Sequence, residues 1–188
     1  MAFLKEEDVE CLGFGSVGYN VLISPKASFY GAENIHIGNN VRIDDFCVFS
    51  AGKGGIYIGN YIHIAVYSSL IGSEKIVLSD YSNISSRVSI YSSNDDYSGR
   101  FMSNPMIPAE FTNVTHAPVI IGKHVIIGSG SIVLPGVSIN DGAVIGALSF
   151  VKRDCDEFTL YAGNPLKRIK ERQRNIERLE LDFRGKFE

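Results

Sequence analysis

Aliphatic residues recur at every sixth position through the most regular stretch of the chain, at Ile121, Ile127, Val133, Ile139, Ile145 and Val151. Four residues after each of the first five stands a small or β-branched side chain: Val125, Ser131, Val137, Ala143 and Ser149. A period of six matches neither the 3.6 residues of an α-helix nor the alternation of an ordinary strand. It fits a parallel β-helix, in which three short strands close one triangular coil and each hexad stacks an aliphatic side chain on its equivalents in the neighbouring coils. The same register appears upstream at Ile37, Ile43 and Phe49, at Ile58, Ile64 and Leu70, and at Leu78, Ile84 and Ile90. An uninterrupted coil takes 18 residues, as from Ile121 to Ile139, whereas Ile37 to Ile58 spans 21 and Ile58 to Leu78 spans 20. The excesses are read as corner insertions, with Gly52-Lys53-Gly54-Gly55 as one of them.

Three segments break the pattern. Residues 3–11 (FLKEEDVEC) read as one short helix ending before Gly13, within a lead-in of residues 1–20. Residues 91–118 lose the hexads and carry Phe101, Met102, Met106, Ile107 and Phe111. That is too much apolar surface for a solvated linker, so the excursion is expected to be ordered and to pack on something, a neighbouring subunit foremost. Residues 163–188 read as a C-terminal α-helix, with Pro165 in its first turn and a partial apolar stripe at Leu166, Ile169, Ile176 and Leu179. Residues 21–162 between the ends form the β-helix.

Composition narrows the function classes. A formal charge of −3, from 21 acidic and 18 basic residues, gives no sign of a generic polyanion binder. No apolar run reaches the ~18 residues of a membrane span, and the acidic N-terminus does not look like a secretory signal. Cys11, Cys47 and Cys155 are scattered and lack CxxC spacing, so free thiols in a reducing, cytoplasmic setting are expected. The histidines lack the i, i+4 pairing of a helical zinc site, and no metal is expected.

The hexads together with IGSGSIVLPGVSI, VIGALSFVKRD and YAGNPLKRI resemble the left-handed β-helix acyltransferases, over nearly the whole chain. The strings HIAVYSSLIG and SSNDDYSGRFMSNPMIP are similar to members that acylate nucleotide-linked amino sugars, of the dTDP-4-amino-4,6-dideoxyglucose type used in O-antigen and other surface polysaccharides. The resemblance implies an all-β, left-handed parallel β-helix with one long excursion loop and a C-terminal α-helix. It also implies a homotrimer with active sites in the grooves between subunits, an acetyl-CoA cosubstrate and no nucleic acid.

The resemblance also directs attention to particular residues. Ser129 and Ala147 are expected at the pantetheine arm, where small residues leave backbone groups accessible. Lys152, Arg153, Lys167 and Arg168 are candidates for the CoA phosphates, with Pro165 near the adenine. The family's general base is a histidine in the loop region, but Asn94-Asp95-Asp96 stands there instead. A carboxylate with an ordinary pKa near 4 is a poor base toward an alcohol, whereas an amine needs only orientation and a proton acceptor. The departure therefore favours N-acylation, with Asp95 and then Asp96 as catalytic candidates, unless both merely build an Asx turn. His63 is a second candidate for base or sugar ligand. Tyr67, Asn94, Tyr97, Asn104 and His116 are candidate acceptor contacts, while His36 and His124 read as surface residues of ordinary hexads. The alternatives are O-acetylation of a sugar with His63 or His116 as base, a zinc carbonic anhydrase on the same fold, and a non-catalytic scaffold.

Overall fold

A computed structural model describes residues 3–187 as a left-handed parallel β-helix closed by three sheets, with one hairpin-based excursion and a helix at each end. The first face holds six parallel strands, from Ser16–Val17 to Ser138–Ile139. The second holds eight and runs from Val21–Ile23 to Lys167–Glu171; the third again holds six, from Ser28–Tyr30 to Phe150–Val151. Strand partners align the hexad positions into columns. On the second face Ile23, Ile43, Ile64, Ile84, Ile127 and Ile145 lie in register and are completely buried. On the third, Phe49, Leu70, Ile90, Val133 and Val151 do the same. The first column begins at Val17, opposite Ile37, so the solenoid already starts inside the segment expected to be a lead-in.

The smaller side chains four residues on are buried too, and the serines among them close the corners. Ser131 Oγ donates to the Gly146 carbonyl at 3.1 Å, and Ser149 Oγ donates to the same oxygen at 2.6 Å. A hydroxyl thereby satisfies a buried carbonyl where the coil turns and no strand partner is available.

The outer positions of the corners form ladders in the left-handed backbone region. Between the first and second faces stand Asn20, Asn40, Tyr61, Tyr81 and His124, with φ between 53° and 62°. The rings of Tyr81 and His124 are stacked at 4.9 Å and 7°, and those of Tyr61 and Tyr81 at 5.2 Å and 7°.

Helix α1 (Glu6–Cys11) forms within the expected segment but starts at Glu6 rather than Phe3, and it buries Val9 against the open end of the solenoid. The C-terminal segment departs from expectation. Lys167–Glu171 is a strand, antiparallel to Thr159–Ala162, and helix α2 spans only Asn175–Phe187. Pro165, joined to Asn164 by a cis peptide, lies in the turn between those strands and does not open a helix. The last coil has a free edge of unpaired N–H and C=O groups, and the chain doubles back to pair with it. Ile169 and Leu179 are exposed, so the anticipated apolar stripe does not exist.

Helix α2 instead docks on the Tyr61–Tyr81–His124 ladder. Phe183 meets Tyr61 edge-on at 5.1 Å, and Glu180 accepts from His124 Nε2 at 2.6 Å, with Lys123 Nζ at 3.4 Å and Arg184 at 2.7 Å. His124 is therefore a docking contact, unlike the free surface residue expected. Burial raises the Glu180 pKa, but the His124 hydrogen bond and the Lys123 charge outweigh it, so the folded value lies below the ordinary 4.5. A carboxylate lowered on folding stabilises above its unfolded pKa and loses that contribution as pH falls through the folded value. Amide exchange in α2 is expected to accelerate as pH falls below about 4.5, relative to the coils, and Glu180→Gln to remove this acid dependence.

Candidate active site

The backbone ladder between the second and third faces defines one edge of the site. Ser85 N donates to Ile127 O, Gly128 N to Ile145 O and Gly146 N to Tyr161 O, which places Ser85, Gly128 and Gly146 at equivalent positions of successive coils. One residue on, Ser129 and Ala147 are exposed and adjacent, linked through Leu148 N to Ser129 O at 2.9 Å. Neither the Ser129 nor the Ala147 amide donates to a carbonyl among the described residues. Two open N–H groups on consecutive coils are about 4.8 Å apart in a parallel sheet, a spacing that suits an extended chain carrying amide carbonyls.

The same edge carries Tyr67 toward the N-terminal end, and His63 lies next to it on the second face. His63 and Arg42 are partners on adjacent strands of the second face, with Asn83 on the next. Asp44 lies between them, nearly buried, accepting from His63 Nε2 at 2.9 Å and from Arg42 Nε at 2.8 Å. Burial raises its pKa, but the His63 and Arg42 hydrogen bonds and charges win, so Asp44 is held below the usual carboxylate value and stays ionised. The pairing fixes the His63 ring, with Nε2 occupied. Asp44→Asn removes the charge that both partners face, and a loss of about 1–3 kcal/mol of stability by denaturant titration is expected.

The opposite edge of the third face carries the excursion. It leaves the coil after Tyr91 on an antiparallel stem, Ser93–Asn94 against Thr115–His116. Asn94, Asp95 and Tyr97 line a cavity of about 620 Å³ with Tyr91, Ile132, Leu134 and Phe150. Asp95 is exposed, and its carboxylate accepts no hydrogen bond among the described residues. Asp96 behaves differently: its oxygens accept from Ser98 N at 3.1 Å and Ser98 Oγ at 2.7 Å. The Ser98 hydroxyl, then its amide, hold the carboxyl below its ordinary value. Asp96 thus builds the Asx turn that was the structural alternative for both aspartates. Asn104 is similarly committed, accepting from Met106 N at 3.0 Å in a turn with φ 86°. His116 is held at the stem by Ser93 Oγ at 2.8 Å.

Phe150 also walls a second cavity, about 240 Å³, formed with Lys152, Arg153, Asn164, Pro165 and Leu166. Three of the sequence-derived cofactor residues therefore converge there. Arg153 is partly structural, since one guanidinium nitrogen donates to Leu166 O at 3.1 Å. Lys167 lies on the last strand, opposite Ala162, and Arg168 lines a different depression and pairs with Glu171 at 3.3 Å. Arg168 does not join the Lys152–Pro165 cavity.

The candidates thus divide between two edges of one face. Ser129, Ala147 and Tyr67 occupy one edge, with His63 beside it on the second face; Asp95, Asn94, Tyr97, Lys152, Arg153 and Pro165 occupy the other. A face three to four residues wide separates them by about 10–13 Å. Among the polar residues the sequence reading passed over are Asp44 and Ser85. Asp44 directly follows Ile43, the core-facing end of its strand, where nothing in the hexad pattern distinguishes a buried carboxylate.

Residues 118–153 match the bacterial transferase hexapeptide family (six repeats). The chain is 64% identical over 184 residues to a dTDP-4-amino-4,6-dideoxy-D-glucose acyltransferase from Escherichia coli, covering 98% of this chain and 96% of that one. The solved structure of AntD, an N-acyltransferase from Bacillus cereus in complex with dTDP and 3-hydroxybutyryl-CoA, is 48% identical, covers 98% of this chain and 97% of its own, and superposes with a TM-score of 0.93. Galactoside acetyltransferase in complex with coenzyme A shares the fold at 23% identity and a TM-score of 0.60, covering 94% of this chain and 76% of its own. This protein belongs to the hexapeptide-repeat acyltransferase family that contains the Escherichia coli dTDP-4-amino-4,6-dideoxy-D-glucose acyltransferase.

Proposed function

We propose that the protein transfers an acyl group, acetyl by default, from acyl-CoA to the amino group of a dTDP-linked 4-amino-4,6-dideoxy sugar, at a site shared between subunits of a homotrimer. The observation that carries this reading is the division of the site. Open amides at Ser129 and Ala147 lie on one edge, and the Asp95 carboxylate, without a partner among the described residues, lies on the other, on the same excursion as exposed Phe101, Met102, Met106 and Phe111. One chain keeps these groups apart; a neighbour that covers the apolar excursion brings Asp95 against another subunit's Ser129–Ala147 edge. Exposed apolar surface of this extent is a mark of such contacts.

AntD supports the assignment of Asp95. Its structures with dTDP and coenzyme A include variants at an aspartate and at a serine ten positions before it. This chain offers Ser85 with Asp95, and Ser86 with Asp96, at that separation. Because Ser98 occupies the Asp96 carboxylate, Ser85 and Asp95 are the functional pair. Ser85 stands one coil before Ser129, beside the place where the thioester would lie.

Coenzyme A would lie in the inter-subunit groove, its pantetheine amides on the Ser129 and Ala147 N–H groups and its phosphates toward Lys152, Arg153 and Lys167. The sugar amine attacks the thioester carbonyl; the C–N bond forms, the C–S bond breaks and the CoA thiolate leaves. Asp95 takes the proton shed by the nitrogen and relays it to the thiolate, whose higher pKa makes it the final acceptor. Preorganised backbone donors near the carbonyl oxygen stabilise the tetrahedral oxyanion. His63, held by Asp44, orients the sugar. Acyl-CoA supply places the reaction in the cytoplasm, and the product suits surface polysaccharide assembly.

The test supplies dTDP-4-amino-4,6-dideoxyglucose or a simple hexoside with acetyl-CoA and follows free thiol and product mass. Turnover of the amino sugar alone is expected. Turnover of the hexoside alone would replace N-acylation by O-acetylation.

A further inference from the structure

The second face is a sheet with two free edges, and they lie at opposite ends of the molecule. It begins at Val21–Ile23, which pairs with Val41–Ile43 alone, and ends at Lys167–Glu171, which pairs with Thr159–Ala162 alone. An unpaired edge is a template for another strand. At the N-terminal end the capping segment covers the edge in part, through Leu4 N donating to Ile23 O at 2.8 Å. Beside it a cavity of about 450 Å³ stays open between α1 and the first coil, with Leu4, Val9, Val17 and Tyr19 in its lining. Val17, Tyr19 and Leu22 are exposed there. At the C-terminal end all five residues of Lys167–Glu171 are exposed, Ile169 to 55%. Helix α2 leaves this edge bare because it turns away to dock on the Tyr61–Tyr81–His124 ladder.

The two edges carry opposite charge. Glu6, Glu7, Asp8 and Glu10 are all exposed on α1, against Lys5 before it, and Glu6 and Glu10 line the cavity. Lys26, in the first coil, is paired with Asp45 at 2.9 Å. At the other end Lys167, Arg168, Lys170 and Arg172 stand against Glu171. Arg168 is bound to Glu171 at 3.3 Å, and Arg172 donates to His124 O and Gly142 O, both at 2.9 Å. Lys167 and Lys170 form no ion pair among the described residues. The acids of the last coil are taken, Asp156 by the Tyr161 hydroxyl and Glu157 by Arg174. Lysines on an edge strand keep two like edges apart. They suit an acidic edge, and this chain has one at its other end.

We infer that copies of this protein associate head to tail, Lys167–Glu171 of one adding to the Val21–Ile23 edge of the next. The contact brings Ile169 to the apolar cavity beside α1 and Lys170 to the carboxylates of α1. Lys167–Glu171 runs against the direction of the other strands of its sheet. Two molecules pointing the same way therefore meet through an antiparallel pair, and the sheet continues from one to the next at the usual ~4.8 Å strand spacing. The contact joins unlike surfaces, so it does not close on itself and extends into an open chain of copies. In the trimer proposed above, each end would present three such edges, which strengthen one another. The inference does not depend on the acyl-transfer reading, because α1, Ile169 and Lys170 lie outside the candidate site.

Sedimentation velocity and light scattering of the native protein over a range of concentrations, at low and at high salt, test this. Mass is expected to rise with concentration at low salt and to fall back as salt screens the ends. Lys170→Glu, and separately the double variant Glu6→Lys with Glu10→Lys, are each expected to weaken association about tenfold or more, because like charges then meet. An equal mixture of the two variants is expected to restore it, since each now carries the charge that the other's ends lack. Misfolding of either variant would not give that result. A native mass that does not change with concentration overturns the inference, as does a mixture no larger than its components. Native protein of constant mass that sediments with phosphatidylglycerol vesicles overturns it too, and gives the basic strand to a lipid surface.

Discussion

Asp95→Asn is expected to lower turnover by about 10²–10⁴-fold, the usual contribution of a positioned proton acceptor, while CoA affinity and the assembly remain unchanged. Asparagine keeps the shape and can still accept a hydrogen bond through its carbonyl oxygen, but it cannot take up the proton that the attacking nitrogen releases. Asp95 is exposed and its carboxylate is unbonded among the described residues, so its removal leaves no buried partner unsatisfied and folding should be unaffected. Asp96→Asn is the control: the Asp96 oxygens are bound to Ser98, so this change should loosen the turn and alter turnover far less. Steady-state rates with a dTDP-amino sugar, alongside CoA titrations, read both variants. Full activity in Asp95→Asn together with a dead His63→Ala would transfer the base role to His63.

Ile84→Ala should destabilise the protein by about 3 kcal/mol, within the range of ~2–5 kcal/mol measured for buried aliphatic truncations. Ile84 is wholly buried and lies in register between Ile64 and Ile127, so its loss leaves a void in a column whose neighbours are fixed by their own strand pairing. A solenoid coil cannot collapse inward independently, because each strand is hydrogen-bonded on both sides. The cavity term should therefore be near its full size. Urea titration of the variant checks this, and a loss below about 1 kcal/mol would show that the column relaxes after all. Replacement of exposed Ile132, one coil on, supplies a surface comparison.

The coil register was legible because hexapeptide packing is local. An inward side chain is repeated every six residues whatever the rest of the chain does, so Ile121 to Val151 identified the columns before any contact was known. The first coil was harder to see: Val17 ends a strand of two residues, both exposed at the open end, where burial imposes no strict pattern. The run KRIKERQR has a helical composition, yet its first part, Lys167–Glu171, forms a strand because the last coil offers an unpaired edge, a condition absent from local propensity.

The site divides in the same way. The sequence by itself determined the repeat and the small residues at 129 and 147, and it set Asp95 where the resembling family carries a histidine. Only the tertiary structure separated Asp95 from Asp96, since both have the same neighbours in sequence and differ in which carboxylate Ser98 captures. It also paired Asp44 with His63 across two coils and set Arg87 on Tyr67, contacts nineteen and twenty residues apart that exist because a coil takes about that many residues to return. A repeat fixes which residues face inward by steric necessity; what the outward residues do depends on which coil, corner or neighbouring element lies beside them.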